Sequence, residues 1–205
     1  MNLKINENCG KIELHIKNNW LKYALMLSVF VVGIIIGGIC FTSFKNNDED
    51  MIMIKELLEQ TISDIDTKRW MLINEYFLKD IKNILLLTIV SSSMIGLPLL
   101  LIWIFYDGLT LSFTIGNIIF VYGMLKGNLI SLFLLFLPNL FYLIAIMIIS
   151  VSSIKLINNF LKMRKSFKIE TIRHLIVCAF SAIIIIIAFF TRIFSMNLVE
   201  NMLKI

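Results

Sequence analysis

The feature that most constrains this chain is a series of long apolar runs that carry almost no charge. The first extends from Leu21 to Phe44, and its 24 residues would measure roughly 36 Å as a helix, more than the hydrocarbon core of a bilayer at about 30 Å. Four more runs follow, at residues 84–106, 109–125, 129–154 and 175–191. Only 16% of the residues are charged, against about a quarter in soluble domains. The sequence therefore predicts an all-α integral membrane protein, a bundle of about five transmembrane helices.

The hydrophilic parts of the chain are short, with one exception. They are the tail 1–20, the loop 45–83, the connector 155–174 and the tail 192–205. In the loop, apolar residues recur mostly at helical intervals, which predicts one or two amphipathic helices that lie beside the membrane or against a partner. Leu58, Ile62 and Ile65 are the residues that we expect to face such a partner.

Basic residues predict the orientation of the chain. Five spans place the two termini on opposite sides of the membrane. The connector 155–174 holds six Lys and Arg residues in twenty positions, and cytoplasmic loops carry this kind of excess. We therefore predict a cytoplasmic N-terminus and an extracytoplasmic loop at 45–83. Since the Lys and Arg residues sit mostly at the ends of apolar runs, they indicate lipid headgroups as neighbours and not nucleic acid.

Two dipeptides interrupt the apolar sequence and predict tight turns. Asp107–Gly108 is a strong turn signal, because Gly adopts positive φ and Asp bonds its own backbone. Lys126 and Gly127 mark a second turn. These turns would end the second and third helices, and they would place Asp107 at a membrane interface and outside the hydrocarbon.

Small residues at four-residue spacing predict close helix contacts, because tight packing drives helix association in lipid. Such pairs are Gly33 with Gly37 in the first helix and Ser92 with Gly96 in the second. Gly108, Ser112 and Gly116 repeat the spacing twice in the third. We expect these residues to form packing faces of a compact bundle, although Gly is frequent in membrane helices for other reasons too.

Two prolines predict kinks. Pro98 and Pro138 each remove one amide donor from a helix, and neighbouring polar groups such as Asn139 can satisfy the carbonyls that are freed. Such kinks fit the shape of a bundle more often than they form a functional hinge or gate. Asn117 and Asn139 are the strongly polar residues deep in the predicted spans, and we expect them to join helices together.

The sequence carries no constellation that predicts catalysis. His15 and His174 both flank predicted spans, and we expect His174 to be an interfacial side chain. No hydrolase, metalloprotease, nucleotide or dinucleotide motif is present, and Cys9, Cys40 and Cys178 have no spacing typical of metal or redox sites. We predict a protein that is not an enzyme and has no cofactor. A transporter or channel with a broken-helix path at Pro98, Asn117 and Pro138 remains the alternative.

The stretches "IGLPLLLIWIFYDGLTLSFTIG" at 95–116 and "YGMLKGNLISLFLLFLPNLFYLIA" at 122–145 resemble the stage II sporulation protein M family. The matching positions are Gly96, Leu97, Pro98, Asp107, Gly108, Phe113, Gly116, Gly123, Gly127, Pro138 and Asn139. "YFLKDIK" at 76–82 is similar to the segment before the family's second helix, with Asp80 where an Asn is usual. The family commonly has another residue between its fourth-helix proline and its Asn, whereas Pro138 and Asn139 are adjacent here.

The resemblance implies a role in endospore formation. Members of the family act in the mother-cell membrane during engulfment of the forespore, where they hold the cell-wall hydrolases known as stage II sporulation proteins D and P at the septum. The implied role is that of a scaffold and not of a hydrolase. It implies a multi-pass protein of the cell membrane on the mother-cell side of the septum, with membrane lipid and these two hydrolases as partners.

Overall fold

The protein is all-helical, as the sequence predicts. The computed structural model describes residues 2–46, 51–58, 60, 69–93, 96–161 and 167–203, and the regular structure within them is helical throughout. The helices are α1 (Asn2–Phe44), α2 (Arg69–Ser91), α3 (Gly96–Tyr122), α4 (Met124–Ser131), a π-helix (Leu132–Phe136), α5 (Leu137–Leu161) and α6 (Phe167–Leu203). Residues 51–58 are also helical. Ile62 and Ile65 lie outside the described residues.

Within the described residues, four helical stretches are long and apolar enough to cross a membrane. They are Lys17–Phe44, Gly96–Tyr122, Met124–Asn159 and Ile169–Val199. Helix α2 is not among them, because its first half carries charged residues from Arg69 to Lys82. The membrane protein class is therefore confirmed, whereas the bundle of five spans stays a prediction.

The predicted turn at Asp107–Gly108 is wrong. Both residues lie inside α3, which is one continuous helix from Gly96 to Tyr122. The predicted helix 84–106 is instead divided between the end of α2 and the start of α3, and the predicted helix 109–125 begins in the middle of α3. The preference of Asp-Gly for turns applies where water can form hydrogen bonds with the backbone groups that a turn leaves unpaired. Inside apolar sequence a continuous helix satisfies every backbone group internally.

The chain reverses earlier, at the serines that precede α3. The Ser93 amide donates to the Val90 carbonyl (3.1 Å), and the Gly96 amide donates to the Ser93 carbonyl (3.0 Å). Pro98 then lies in the first turn of α3, where its missing N–H costs no intrahelical bond, so the predicted kink at Pro98 is absent. Ser92 is an exposed turn residue and does not form a packing face with Gly96.

The second predicted turn is displaced by a few residues. The break falls at Gly123, which has a φ of 80°, in the left-handed region that favours glycine. Gly127, which we expected in the turn, is instead buried within α4, where a side chain would overlap the backbone of Ile119.

Pro138 distorts its helix as predicted, and it does so through a π-helix. Without the Pro138 N–H, the Leu134 carbonyl loses its partner four residues on. The preceding residues widen into the π-helix, in which the Leu137 N–H donates to the Leu132 carbonyl five residues back. Single π-turns of this kind are a known response to proline and often lie near functional sites.

Contacts between helices fix their relative directions. Phe30 and Gly33 of α1 meet Phe105 and Gly108 of α3, and further along Phe41 meets Gly116. Residue numbers rise together in these contacts, so α1 and α3 are parallel. In contrast, α2 runs antiparallel to α6, because Phe77 packs on Phe189 in the second half of α6 while Ser91 contacts His174 near its start.

The bundle has a fully buried core. Its centre is a cluster from α1, α2, α3 and α5 that consists of Met26, Leu87, Leu100, Ile104 and Ile146. A second cluster of Ile118, Ile130 and Val199 lies towards the C-terminal end of α6, and Leu58 packs against it. Leu58 therefore contacts this chain itself, where we had expected it to face a partner.

Candidate functional site

Helices α2, α3, α5 and α6, with Phe30 of α1 and two residues of the π-helix, line a cavity of about 780 Å³. Its volume falls in the range of roughly 300–1,000 Å³ that is typical of small-molecule sites. Its wall mixes apolar side chains with an unusual concentration of polar and aromatic ones for a membrane bundle. The polar and aromatic lining residues are Phe30, Tyr76, Lys79, Asp80, Asn83, Trp103, Tyr106, Asp107, Thr110, Asn139, Tyr142 and Arg192.

An ion pair forms part of the cavity wall. Arg192 Nη1 of α6 donates to Asp80 Oδ2 of α2 at 3.0 Å, and the guanidinium lies 5.0 Å from the centre of the Tyr76 ring. Both side chains are largely buried, with 16% of Arg192 and 11% of Asp80 exposed. Arg192 follows the last residue of the predicted fifth span, and its side chain turns inwards, where Asp80 pairs with it.

Arg192 and Asp80 compensate each other's charge where burial keeps water away from both side chains. A buried ion pair of this kind gains little net stability over apolar packing, but the loss of one partner leaves an uncompensated charge and costs much more. The ion pair therefore holds α2 against α6, because the loss of either side chain would leave the other charge buried and unpaired.

Asp107 lies near the middle of α3 and not at an interface. It is eleven residues from the start of the helix, or roughly 16 Å along its axis. Its Oδ2 atom is buried and has no hydrogen-bond partner among the described residues. The hydroxyl oxygen of Tyr142 in α5 is also buried and unpartnered, and both side chains line the cavity. An ionisable side chain at mid-membrane depth is costly and marks a candidate functional site.

A second polar cluster surrounds His174, which is 1% exposed and so is not the interfacial side chain that we predicted. One ring nitrogen, Nε2, lies 2.9 Å from Ser91 Oγ of α2, and Nδ1 lies 3.0 Å from Ser152 Oγ of α5. The Ser153 hydroxyl donates to the Ser91 carbonyl. These bonds join the C-terminal end of α2 to α5 and α6.

The Ser91–His174 contact has the spacing of a nucleophile and its base, but its surroundings favour a structural role. Ser91 is fully buried, and neither residue lines the cavity. Cys178 lies 3.6 Å from the same ring nitrogen. The described residues contain no group of His, Cys, Asp or Glu side chains with the arrangement of a metal site.

The small residues predicted to form packing faces lie mostly where α1 crosses α3. A side chain at Gly33, Gly37 or Gly108 would overlap the backbone of the opposite helix, and one at Gly116 would overlap the ring of Phe41. Ser112 lies on the same crossing, with its hydroxyl oxygen 3.6 Å from where a side chain on Gly38 would begin.

The residues of the predicted broken-helix path are not brought together. Pro98 is exposed. Asn117 is buried and donates to the Phe113 carbonyl of its own helix, so it joins no second helix through that bond. Pro138 is buried, and only its neighbour Asn139 lines the cavity.

Sequence reasoning missed the cavity because its charged residues come from different helices. Asp80 and Arg192 lie 112 positions apart, and each looks like an interfacial residue in its own segment. A pattern in α6 nevertheless points to Arg192, because the buried positions from His174 to Ala188 recur at alternating intervals of four and three and the next step of four falls on Arg192.

Comparison with known proteins gives one match. The family model described as "Stage II sporulation protein M" matches residues 26–192, a range that includes all of α2 to α5 and most of α1's and α6's apolar residues. The comparisons with curated proteins and with solved structures gave no match.

Proposed function

Because the chain belongs to the stage II sporulation protein M family, we propose that it is a non-catalytic membrane scaffold that anchors cell-wall hydrolases at the septum during engulfment of the forespore. The observation that carries the proposal is the family match across residues 26–192, which covers most of the helical bundle. The partners follow from the family resemblance and are the stage II sporulation proteins D and P.

Helix directions support a topology with an extracytoplasmic loop. Since α1 and α3 are parallel, the chain must return across the bundle between them, and α2 is the described helix that does so. We therefore assign α2 as a fifth crossing, with its charged first half against α6. With the N-terminus cytoplasmic, the segment after Phe44 then lies outside, as does the C-terminal end of α6.

Residues 51–58 are the described part of that outer segment and offer a surface for a hydrolase. Met51 is buried, while Ile52 and Met53 expose more than half of their surface. Leu58 packs on the bundle and so holds the segment in place. Ile52 and Met53 are the residues that we assign to partner contact, in place of Leu58.

Deletion of the gene in a spore-forming host tests the scaffold role. Engulfment is expected to stop while vegetative growth continues, and the hydrolases should lose their septal position. Normal engulfment in the deletion strain would overturn the proposal.

A double variant tests the partner surface. Ile52→Asp with Met53→Asp should reduce co-purification of the two hydrolases without affecting membrane insertion, because both side chains are exposed and support no core contact. Glu56→Gln, on an exposed position of the same helix, is the matched control. Hydrolase recovery at the wild-type level from the double variant would exclude this surface.

The cavity favours a second candidate, a transporter or channel component. Charged side chains at mid-membrane depth are typical of solute pathways, and here they line one cavity. Solute or proton flux into vesicles that contain the purified protein, lost in Asp107→Asn, would support this function. The absence of solute and proton flux into these vesicles would exclude a transport function.

A further inference from the structure

The cavity collects buried polar atoms that lack partners. Four such side-chain atoms occur among the described residues, on Asp107, Asn117, Tyr142 and Ser150. Two of the four, Asp107 Oδ2 and the Tyr142 hydroxyl oxygen, belong to residues that line the same cavity; the Tyr142 hydroxyl has the Trp103 and Asn83 side chains near it, so Asp107 Oδ2 is the atom with the greater need of a partner. Since buried polar atoms in natural proteins almost always have partners, this cavity is where a missing partner belongs.

The chemistry of the missing group follows from these atoms. An ionised carboxylate only accepts hydrogen bonds, and a tyrosine hydroxyl can accept one. A primary ammonium supplies three N–H donors and the positive charge that a buried carboxylate requires. Trp103 and Tyr106 also line the wall, and aromatic rings attract ammonium groups. Asp80 is already neutralised by Arg192, so Asp107 is the acid that is left for a ligand.

A second charge on the wall can bind a negative group of the same ligand. The exposed residue Lys79 of α2 lines the cavity together with Asp107, and the two form no ion pair among the described contacts. A ligand with an ammonium and a phosphate a few bonds apart complements this arrangement, with the ammonium at Asp107 and the phosphate at Lys79.

The shape of the cavity indicates an apolar tail. Leu86 of α2 and Leu99 and Ile102 of α3 line the cavity and are also exposed on the outer surface of the bundle. The cavity therefore opens sideways between α2 and α3, at the depth of the hydrocarbon. A ligand that enters here comes from the bilayer and leaves its acyl chains there.

We propose that the cavity binds the headgroup of a phospholipid that carries a primary ammonium, with phosphatidylethanolamine as the simplest such lipid. Asp107 and Tyr142 hold the ammonium, Lys79 faces the phosphate, and the acyl chains leave between α2 and α3. The lipid site does not depend on the scaffold role. The lipid-binding test and the gene-deletion test can therefore each fail while the other succeeds.

Native mass spectrometry of the full-length protein in detergent tests the proposal with three lipids of matched acyl chains. Phosphatidylethanolamine has N–H donors on its ammonium, phosphatidylcholine has a charged amine without N–H donors, and phosphatidylglycerol has no amine. Phosphatidylethanolamine should bind about tenfold more tightly than either, the value of one strong charge-assisted hydrogen bond.

Variants assign the headgroup to its residues. Asp107→Asn should weaken phosphatidylethanolamine binding by about tenfold, and Lys79→Gln should weaken phosphatidylethanolamine and phosphatidylcholine equally, since both carry the phosphate. Asn117→Leu removes an unpartnered polar atom of the same helix outside the cavity, and it should leave binding unchanged.

Three outcomes would overturn the proposal. They are equal binding of the three lipids, unchanged binding in Asp107→Asn, and no retention of any lipid by the wild-type protein. The last result would mean that water satisfies Asp107 and Tyr142.

Discussion

Two adjacent glycines of α1 allow a direct test of the crossing between α1 and α3. A β-carbon on Gly37 would overlap the Leu109 carbonyl oxygen and would lie 3.0 Å from its carbonyl carbon and 3.1 Å from its Cα. A β-carbon on Gly38 would meet only the Ser112 hydroxyl oxygen, at an ordinary 3.6 Å. The substitutions Gly37→Ala and Gly38→Ala add the same methyl group at neighbouring positions, so they differ only in what that group meets.

The expected loss for Gly37→Ala follows from these distances. Carbon atoms pack at about 3.5–4.0 Å, so α1 must move away from α3 by roughly 0.5 Å or more. A gap of about 0.5–1 Å already forfeits a quarter to a half of the attraction between the atoms that face it. Overpacking of this kind costs about 1–3 kcal/mol. Gly38→Ala should be neutral or stabilise the helix by up to about 1 kcal/mol.

Reversible unfolding in micelles with rising SDS measures both free energies, with tryptophan fluorescence as the signal. Both variants introduce the same residue at neighbouring positions of the same helix. The difference between their free energies of unfolding therefore isolates the contact with Leu109. Equal stabilities for Gly37→Ala and Gly38→Ala would refute the close approach of α1 to α3.

Three further predictions concern single contacts and use the same unfolding measurement. Asp80→Leu should cost about 3–5 kcal/mol because Arg192 is left buried without a partner, while Asp80→Leu combined with Arg192→Leu should cost less; equal losses would contradict the pairing. His174→Ala should cost about 1–3 kcal/mol, because Ser91 and Ser152 lose their partner, and a variant as stable as wild type would exclude the polar junction. Gly123→Ala should cost about 1–3 kcal/mol, although nothing lies within 4 Å, because a φ of 80° with a ψ of 169° is a backbone conformation essentially restricted to glycine, and Gly123→Asn should cost a similar amount; variants as stable as wild type would argue against this backbone conformation.

The membrane class and the helical content were predictable because each apolar run carries that information locally. Helix boundaries were less predictable. Asp107–Gly108 is a dipeptide that favours a turn in water, but here it lies inside a continuous helix. A better signal stood eleven residues earlier. The serines 91–93 followed by Gly96 and Pro98 combine a turn-forming segment with a proline in the first turn of a helix, and the structure reverses the chain there.

The inward orientation of Arg192 was also encoded in the sequence, in a pattern other than the four-residue spacing of small residues. Most buried positions of α6 fall into two sets with a seven-residue period, one of His174, Ser181, Ala188 and Ser195 and the other of Cys178, Ile185 and Val199, and Met196 is buried beside them. Arg192 occupies the remaining place in the second set, seven residues after Ile185 and seven before Val199. A seven-residue period keeps one seam of a helix against its neighbours along its whole length.

Arg192 therefore faces the bundle, and a buried arginine requires an acid from another helix. Asp107 interrupts an apolar run and Asp80 lies shortly before one, and both carboxylates line the cavity together with Arg192.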